Sequence, residues 1–265
     1  MEGSGEQALL EVRGVSKSFG GLKALKGVSF KVRKGDVSAV IGPNGAGKTT
    51  LLNIISGIYT PDEGEVIFLD ERITHLSPSK IARRGISRTF QHVEIFGDMT
   101  VLENVMVGRH MKTKSGFFAS GLRLPGVFRE EREIRRKSEE ILEYVNLAHR
   151  KDDLAVNLPI GGQRTLEIAR SLATEPRLLL LDEPAAGLNI RETRDLGTLI
   201  RKMKEDLGIT MILVEHDMDL VMHSSDWITV LNFGKVITEG MPLEVQKNPE
   251  VIAVYLGSDE RSEHE

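Results

Sequence analysis

One nine-residue stretch, Gly42-Pro43-Asn44-Gly45-Ala46-Gly47-Lys48-Thr49-Thr50, constrains this chain more than any other. It has the form G-x-x-x-x-G-K-T, and its flanks suit it. The apolar run Val37–Ile41 before it predicts a buried strand, and Leu51–Ile55 behind it predicts a helix with no breaker until Gly57. Glycines let successive backbone N–H groups curl around a polyphosphate, and a helix N-terminus adds partial positive charge. Lys48 is spaced to reach the terminal phosphates, and the Thr49 hydroxyl to ligate Mg²⁺. A Gly-rich turn with a solvated lysine would not explain the strand and helix on either side. The stretch predicts a nucleoside triphosphate site.

Composition narrows what can surround such a site. The 265 residues, 40% of them hydrophobic, suffice for one large core or a main domain with a small appendage. No apolar run approaches the roughly 18 residues that span a bilayer, and Met1–Glu6 lacks the basic start and apolar centre of a signal peptide. The absence of cysteine excludes disulfides, thiolate metal sites and thiol nucleophiles. A net charge of −4 lacks the basic footprint of a nucleic-acid binder. These features together predict an intracellular α/β protein that binds no nucleic acid.

Before the phosphate loop, Leu9–Val12 and Val28–Val32 read as strands around a Gly20-Gly21 turn, and Glu65–Leu69 as a strand after it. Phe19 stands just before that turn, where core packing is the ordinary role of a phenylalanine. Strands followed by strand–loop–helix predict a nucleotide-binding α/β core with an antiparallel β layer. From Ser77 to Arg150 the pattern turns helical. Ser79–Arg84 forms a short basic helix, and Thr100–Glu103 opens another with a capping box. Arg129–Tyr144 is charged, with Ile134, Ile141, Leu142 and Val145 at helical spacing, as expected of an amphipathic helix with a solvated face. Residues Ser115–Phe128 are too long and too apolar for an idle loop; packing on their own subdomain and presentation to a partner both remain open.

Leu158–Leu172 is the second informative stretch. Apolar residues at 166, 169, 172 and 173 predict a helix with Gly161, Gly162 and Gln163 at its N-terminus, where backbone donors are free. Leu178–Leu181 then leads as a buried strand into Asp182 and Glu183. Successive strand residues face opposite ways, so the two carboxylates can divide roles, Asp182 toward Mg²⁺ and Glu183 toward an attacking water. Thr210–Val214 is a further buried strand, predicted beside the first, and His216 follows it at the edge where open α/β sheets bind ligands.

With these residues in view, the chain resembles the ATPase subunit of an ABC transporter from Leu9 to Gly257. The resemblance implies that Phe19 stacks on adenine, that Gly42–Thr50 bind ATP with Lys48 also catalytic, and that Gln91 is the Q-loop glutamine, a catalytic residue and a Mg²⁺ ligand with Thr49 and Asp182. It implies that Gly161, Gly162 and Gln163 lie in the signature motif, that Glu183 is the catalytic glutamate and that His216 is the switch histidine. It implies one ATPase domain over 8–257, with a nucleotide-binding core from 8–90 and 160–257, a helical subdomain near 91–159, and tails at 1–7 and 258–265. Ser87-Arg88-Thr89-Phe90-Gln91-His92, Glu183–Asn189, Val214–Met218 and Asn248–Gly257 are similar to the first (LivG-type) ATPase of branched-chain amino-acid uptake systems. Two positions depart from the superfamily: Pro159 replaces the signature serine, and Asn189 the usual D-loop aspartate. The implied partners are a second ABC ATPase subunit, membrane permease subunits and, indirectly, a solute-binding protein, with the chain peripheral on the inner face of the membrane. Urea, amides or other amino acids remain alternative cargoes. A soluble ABC protein would carry two ATPase domains or a long coiled coil, and a small-molecule kinase would leave Gly161–Gln163 and His216 without work.

Overall fold

The computed structural model describes residues 8–89, 91, 94–110 and 125–259. Most of the apolar 115–128 stretch, Phe90, His92, residues 1–7 and residues 260–265 lie outside them. In chain order, β1 (Ala8–Phe19) turns through Gly20-Gly21 into β2 (Leu22–Arg33), and β3 (Val37–Ile41) runs into α1 (Lys48–Ile55). A hairpin of β4 (Glu63–Phe68) and β5 (Glu71–Arg72) precedes α2 (Pro78–Arg83) and β6 (Ile86–Arg88). The helices α3 (Val101–His110), α4 (Pro125–Tyr144) and α5 (Ile160–Leu172) follow, then β7 (Leu178–Asp182), α6 (Ile190–Leu207) and β8 (Thr210–Val214). Last come α7 (Met218–Ser224), β9 (Trp227–Asn232), β10 (Lys235–Gly240), α8 (Pro242–Gln246) and α9 (Pro249–Asp259). The last helix continues past Gly257, after which the sequence predicts a tail.

Two sheets form. The first is antiparallel in the order β2-β1-β4-β5. β1 and β2 each run 12 residues, well beyond the segments that alternation alone marks out. Their register shifts between Val12 and Val15 and again before Ser18, and each irregularity breaks the period-2 pattern. β4 stops at Phe68 because Leu69 and Asp70 take φ of 52° and 62°, the left-handed pair of a tight hairpin turn. The second sheet has the order β10-β9-β3-β8-β7-β6, parallel throughout except for β10 at one edge. The α/β core with an antiparallel β layer is therefore as expected, and Asp182 pairs with Val214, setting β8 beside β7.

Alternate side chains of the parallel strands feed opposite cores. Leu178 and Leu180 pack with Leu51, Leu52 and Ile55 of α1 and with Val12, Phe30 and Phe68 of the antiparallel sheet. Leu179 and Leu181 face the other way, onto Leu166 and Ile168 of α5 and Ile200 and Met203 of α6. Each such buried leucine is worth about 1.5–3 kcal/mol by leaving water. The first core clamps α1 between the two sheets and so fixes where its N-terminus points. On the helical side, Thr100 and Glu103 complete the capping box of α3, with Thr100 N–H donating to Glu103 at 2.7 Å and Glu103 N–H to Thr100 Oγ1 at 3.2 Å. α4 buries Ile134 and Leu142, while Arg135–Glu139 and Lys137–Glu133 pair along its wet face.

Candidate nucleotide site

Every strand end that matters opens on one edge of the parallel sheet: the phosphate loop after β3, Glu183 after β7, Glu215 and His216 after β8. The loop leaves no room for other residues at two glycines. A Cβ on Gly42, at φ 150°, would lie 2.1 Å from the Leu231 carbonyl oxygen; one on Gly47, at φ 105°, would lie 2.8 Å from that of Ala24. The loop closes on itself through Ala46 N–H to the Pro43 carbonyl at 3.1 Å, and Gly47 caps α1. The N–H groups of the first turn, from Lys48 through Thr50, have no carbonyl one turn earlier and form an anion cradle. Asn44, Gly45 and Thr49 are exposed at its mouth, with Pro43 and Thr50 half-buried.

Lys48 is buried, and its Nζ donates to the carbonyls of Gly42 at 2.7 Å and Pro43 at 3.1 Å. Burial pulls its pKa down, and the negative charges of Glu183, Asp182 and Glu215 oppose that pull. Asp182 is only 1% exposed. Its Oδ2 accepts from Arg88 Nη2 at 2.7 Å, and Arg88 Nη1 reaches back to Asn53 Oδ1 at 2.7 Å and Ser56 Oγ at 3.0 Å on and beyond α1. The other oxygen, Oδ1, is buried without a hydrogen-bond partner.

Glu183 leaves the strand at φ 47°, a left-handed conformation that is rare for a residue with a side chain. Its N–H donates to the Val214 carbonyl at 2.8 Å, and its Oε2 accepts from Gln91 Nε2 at 2.9 Å. Two residues 92 positions apart in sequence thus meet. Below them, fully buried Glu215 accepts from the N–H groups of Ala185 at 2.7 Å, His216 at 3.1 Å and Asp217 at 3.5 Å. Burial raises its pKa, and the three N–H groups hold the rise back. The His216 side chain is 65% exposed above it.

Other residues stand apart from this cluster. Phe19 is 41% exposed, so the core role is corrected: a hairpin tip cannot bury its side chain beneath the sheet. Its ring meets Tyr59 edge-on at 5.2 Å, with Lys17 Nζ 5.5 Å from its centroid. Gly161–Gln163 open α5 against Glu192 and the turn before the helix rather than against the phosphate loop. A Cβ on Gly161 would sit 2.7 Å from Glu192 Oε1, and Gln163 Nε2 donates to the Leu158 carbonyl at 2.9 Å. Pro159 is the N-cap of α5 and gives no side-chain cap. Asn189 caps α6, accepting from Glu192 N–H at 3.0 Å while Glu192 accepts from Asn189 N–H at 3.0 Å. The sequence reading assigns no role to Arg88, Arg164 or Glu215; Glu215 alone carried a signal, a charge directly after the apolar run Met211–Val214.

No three His, Asp or Glu side chains among the described residues converge to hold a metal alone. The unpartnered buried Asp182 Oδ1 and the exposed Thr49 hydroxyl nevertheless fit a Mg²⁺ that arrives with phosphate and water oxygens as its other ligands.

A phosphate loop and a carboxylate pair on the same edge of a parallel sheet define a P-loop nucleoside triphosphatase. The chain belongs to the ABC transporter family: that family's profile matches residues 25–186, and a second, described as branched-chain amino acid ATP-binding cassette transporter, matches residues 235–261. It is accordingly an ATP-binding, ATP-hydrolysing cassette. The high-affinity branched-chain amino acid transport ATP-binding protein BraF of Pseudomonas aeruginosa is 46% identical over 249 residues, 94% of this chain and 98% of its own length. LivG of Salmonella typhimurium, described in the same words, is 44% identical over 95% of this chain and 98% of its own. Among solved structures, the ADP conformation of the ABC transporter cassette MJ1267 superposes with a TM-score of 0.83 at 36% identity, covering 95% of this chain and 99% of that one. A dimeric cassette, MJ0796 with ADP and Pi, gives 0.74 at 27% identity, covering 88% and 98%.

Proposed function

We propose that this chain is the ATPase subunit of an importer for branched-chain amino acids, working on the inner face of the cell membrane as one of two cassettes that close on ATP. The observation that carries the catalytic half is the hydrogen bond from Gln91 to Glu183 beside Lys48 and Asp182. Relatives of matching length, named for branched-chain amino acid transport, support the cargo. No helix among the described residues is long and apolar enough to cross a membrane, so the translocation path belongs to permease partners, fed by a solute-binding protein.

The residues divide the work. Backbone N–H groups from Gly42 to Thr50 hold the phosphates, and Phe19 stacks on the adenine. Lys48 exchanges the Gly42 and Pro43 carbonyls for phosphate oxygens. Thr49 and Asp182, with Gln91 nearby, would hold a Mg²⁺, which offsets charge on the phosphates when bound. Glu183 orients the attacking water and accepts its proton, and His216 contacts the γ-phosphate. Gly161–Gln163 cap the nucleotide of the facing cassette with the free N–H groups of α5.

The test is the membrane complex co-purified with this chain. Leucine, isoleucine or valine should stimulate its ATPase; stimulation by urea or amides alone would overturn the cargo. Glu183→Gln should bind ATP normally yet hydrolyse it at least about 100-fold more slowly, because water positioning is lost and nucleotide contacts are not. Wild-type turnover in that variant would show the carboxylate to be misassigned.

A further inference from the structure

Arg164 lies in the first turns of α5 and is 5% exposed. Its Nη2 donates to the backbone carbonyl of Gln91 at 2.5 Å, and its Nη1 makes a longer contact, 3.4 Å, with Glu167 Oε2 on the same helix. The Gln91 side chain in turn donates to Glu183 at 2.9 Å. Arg170, two turns on, donates to the Glu94 carbonyl and stacks 5.3 Å from the Phe96 ring. Among the described residues, α5 therefore grips the segment after β6 at Gln91 and at Glu94, and the first is the backbone of the glutamine that holds the catalytic carboxylate.

Stability is a poor explanation for Arg164. Burying a guanidinium costs desolvation that a partner carboxylate commonly fails to offset, and apolar replacements of buried pairs are often neutral or stabilising. A guanidinium supplies what an apolar side chain cannot, fixed directional donors. One of them here locks the backbone position from which the Gln91 amide must reach Glu183. We propose that Arg164 is a positioning residue for Glu183, acting through Gln91. Because α5 begins with Gly161–Gln163, any shift of that N-terminus on capping the facing nucleotide passes through Arg164 to this chain's own glutamate. The inference rests on Glu183 being the catalytic carboxylate.

The test is a kinetic double-mutant cycle in the full-length chain, read by single-turnover and steady-state ATPase. Small misplacements of catalytic groups cost up to about 100-fold, so Arg164→Met should lower kcat about 10- to 100-fold with KM for ATP and equilibrium ATP binding within about twofold. Arg164→Lys, which can still donate to one carbonyl, should recover part of the loss. In a Gln91→Ala background, where there is no amide left to place, Arg164→Met should have no further effect. A kcat within twofold of wild type, or the same fold-loss in the Gln91→Ala background, would overturn the inference. Should Arg164→Met not fold, Arg164→Met combined with Glu167→Leu, which leaves no unpaired buried carboxylate, carries the same cycle with the same outcomes. Wild-type turnover by Glu183→Gln would overturn the reading beneath it; an additive cycle with Glu183→Gln inactive would overturn this inference alone.

Discussion

Glu215 shows how single residues set the terms of this site. It is buried under the switch between β8 and α7, its pKa raised by burial against the pull of three N–H groups. At pH below the ordinary glutamate value, folded and unfolded chains both hold the proton. Between that value and the raised one, only the folded chain does, so its contribution to stability falls as pH rises through the window and is constant above it. Glu215→Gln cannot titrate and should flatten the part of the melting-temperature profile that lies just above the ordinary glutamate value; a slope equal to wild type would refute the assignment. The residues legible in the sequence were those whose chemistry is local. Lys48 and Asp182 are announced by their neighbours in the chain. Arg88 and Arg164 act on partners 94 and 73 positions away, and nothing in a linear reading ties an arginine to one distant oxygen.

Among elements, α5 carries the sharpest expectation. Pro159 caps it at φ −57°, ψ 159°, and its carbonyl accepts from Gln163 N–H at 2.9 Å, so the helix starts well without a donor at that position. A serine would add a hydroxyl facing the same way as the free N–H groups. A hydrogen bond to a charged acceptor is worth about 1.5–3 kcal/mol, or about 10- to 100-fold in affinity. Pro159→Ser in a Glu183→Gln background should therefore tighten the ATP-dependent dimer, as sedimentation with ATP would reveal; equal dimer affinities would sink the idea. Elements were legible to the degree that one burial pattern ran through them. β3 and β8 are buried throughout and mostly apolar, and they fall where expected, whereas bulges divided β1 and β2. The three-residue β6 exists only because β7 templates it, and β9 with β10 complete the sheet from a stretch whose pattern went unread.

Across the whole molecule, one exposed apolar surface lies beyond the nucleotide edge. Phe96 is 46% exposed and Met99 39%, beside Leu154 at 43% and Val156 at 58%. They are drawn together by Ala155 N–H to the Met99 carbonyl at 2.9 Å and Val156 N–H to the Gly97 carbonyl at 3.4 Å. A patch of this kind beside the segment that holds Gln91 suits a permease helix. Phe96→Asp should weaken assembly with the permease in detergent pull-down while ATP binding by the isolated chain is unchanged, since Arg170 beside the ring would pair with the new carboxylate. Equal loss of both would make Phe96 a residue of the fold.

Arg88 holds Asp182 and Gln91 holds Glu183, so one short span steadies two carboxylates that are adjacent in the chain. The number of residues between positions 88 and 91 is therefore constrained, and so is the buried Thr89 among them, whose Oγ1 accepts from Asp182 N–H at 3.4 Å. A one-residue insertion or deletion would leave either tether intact only by breaking the other. In that span the length of the chain is itself part of the message.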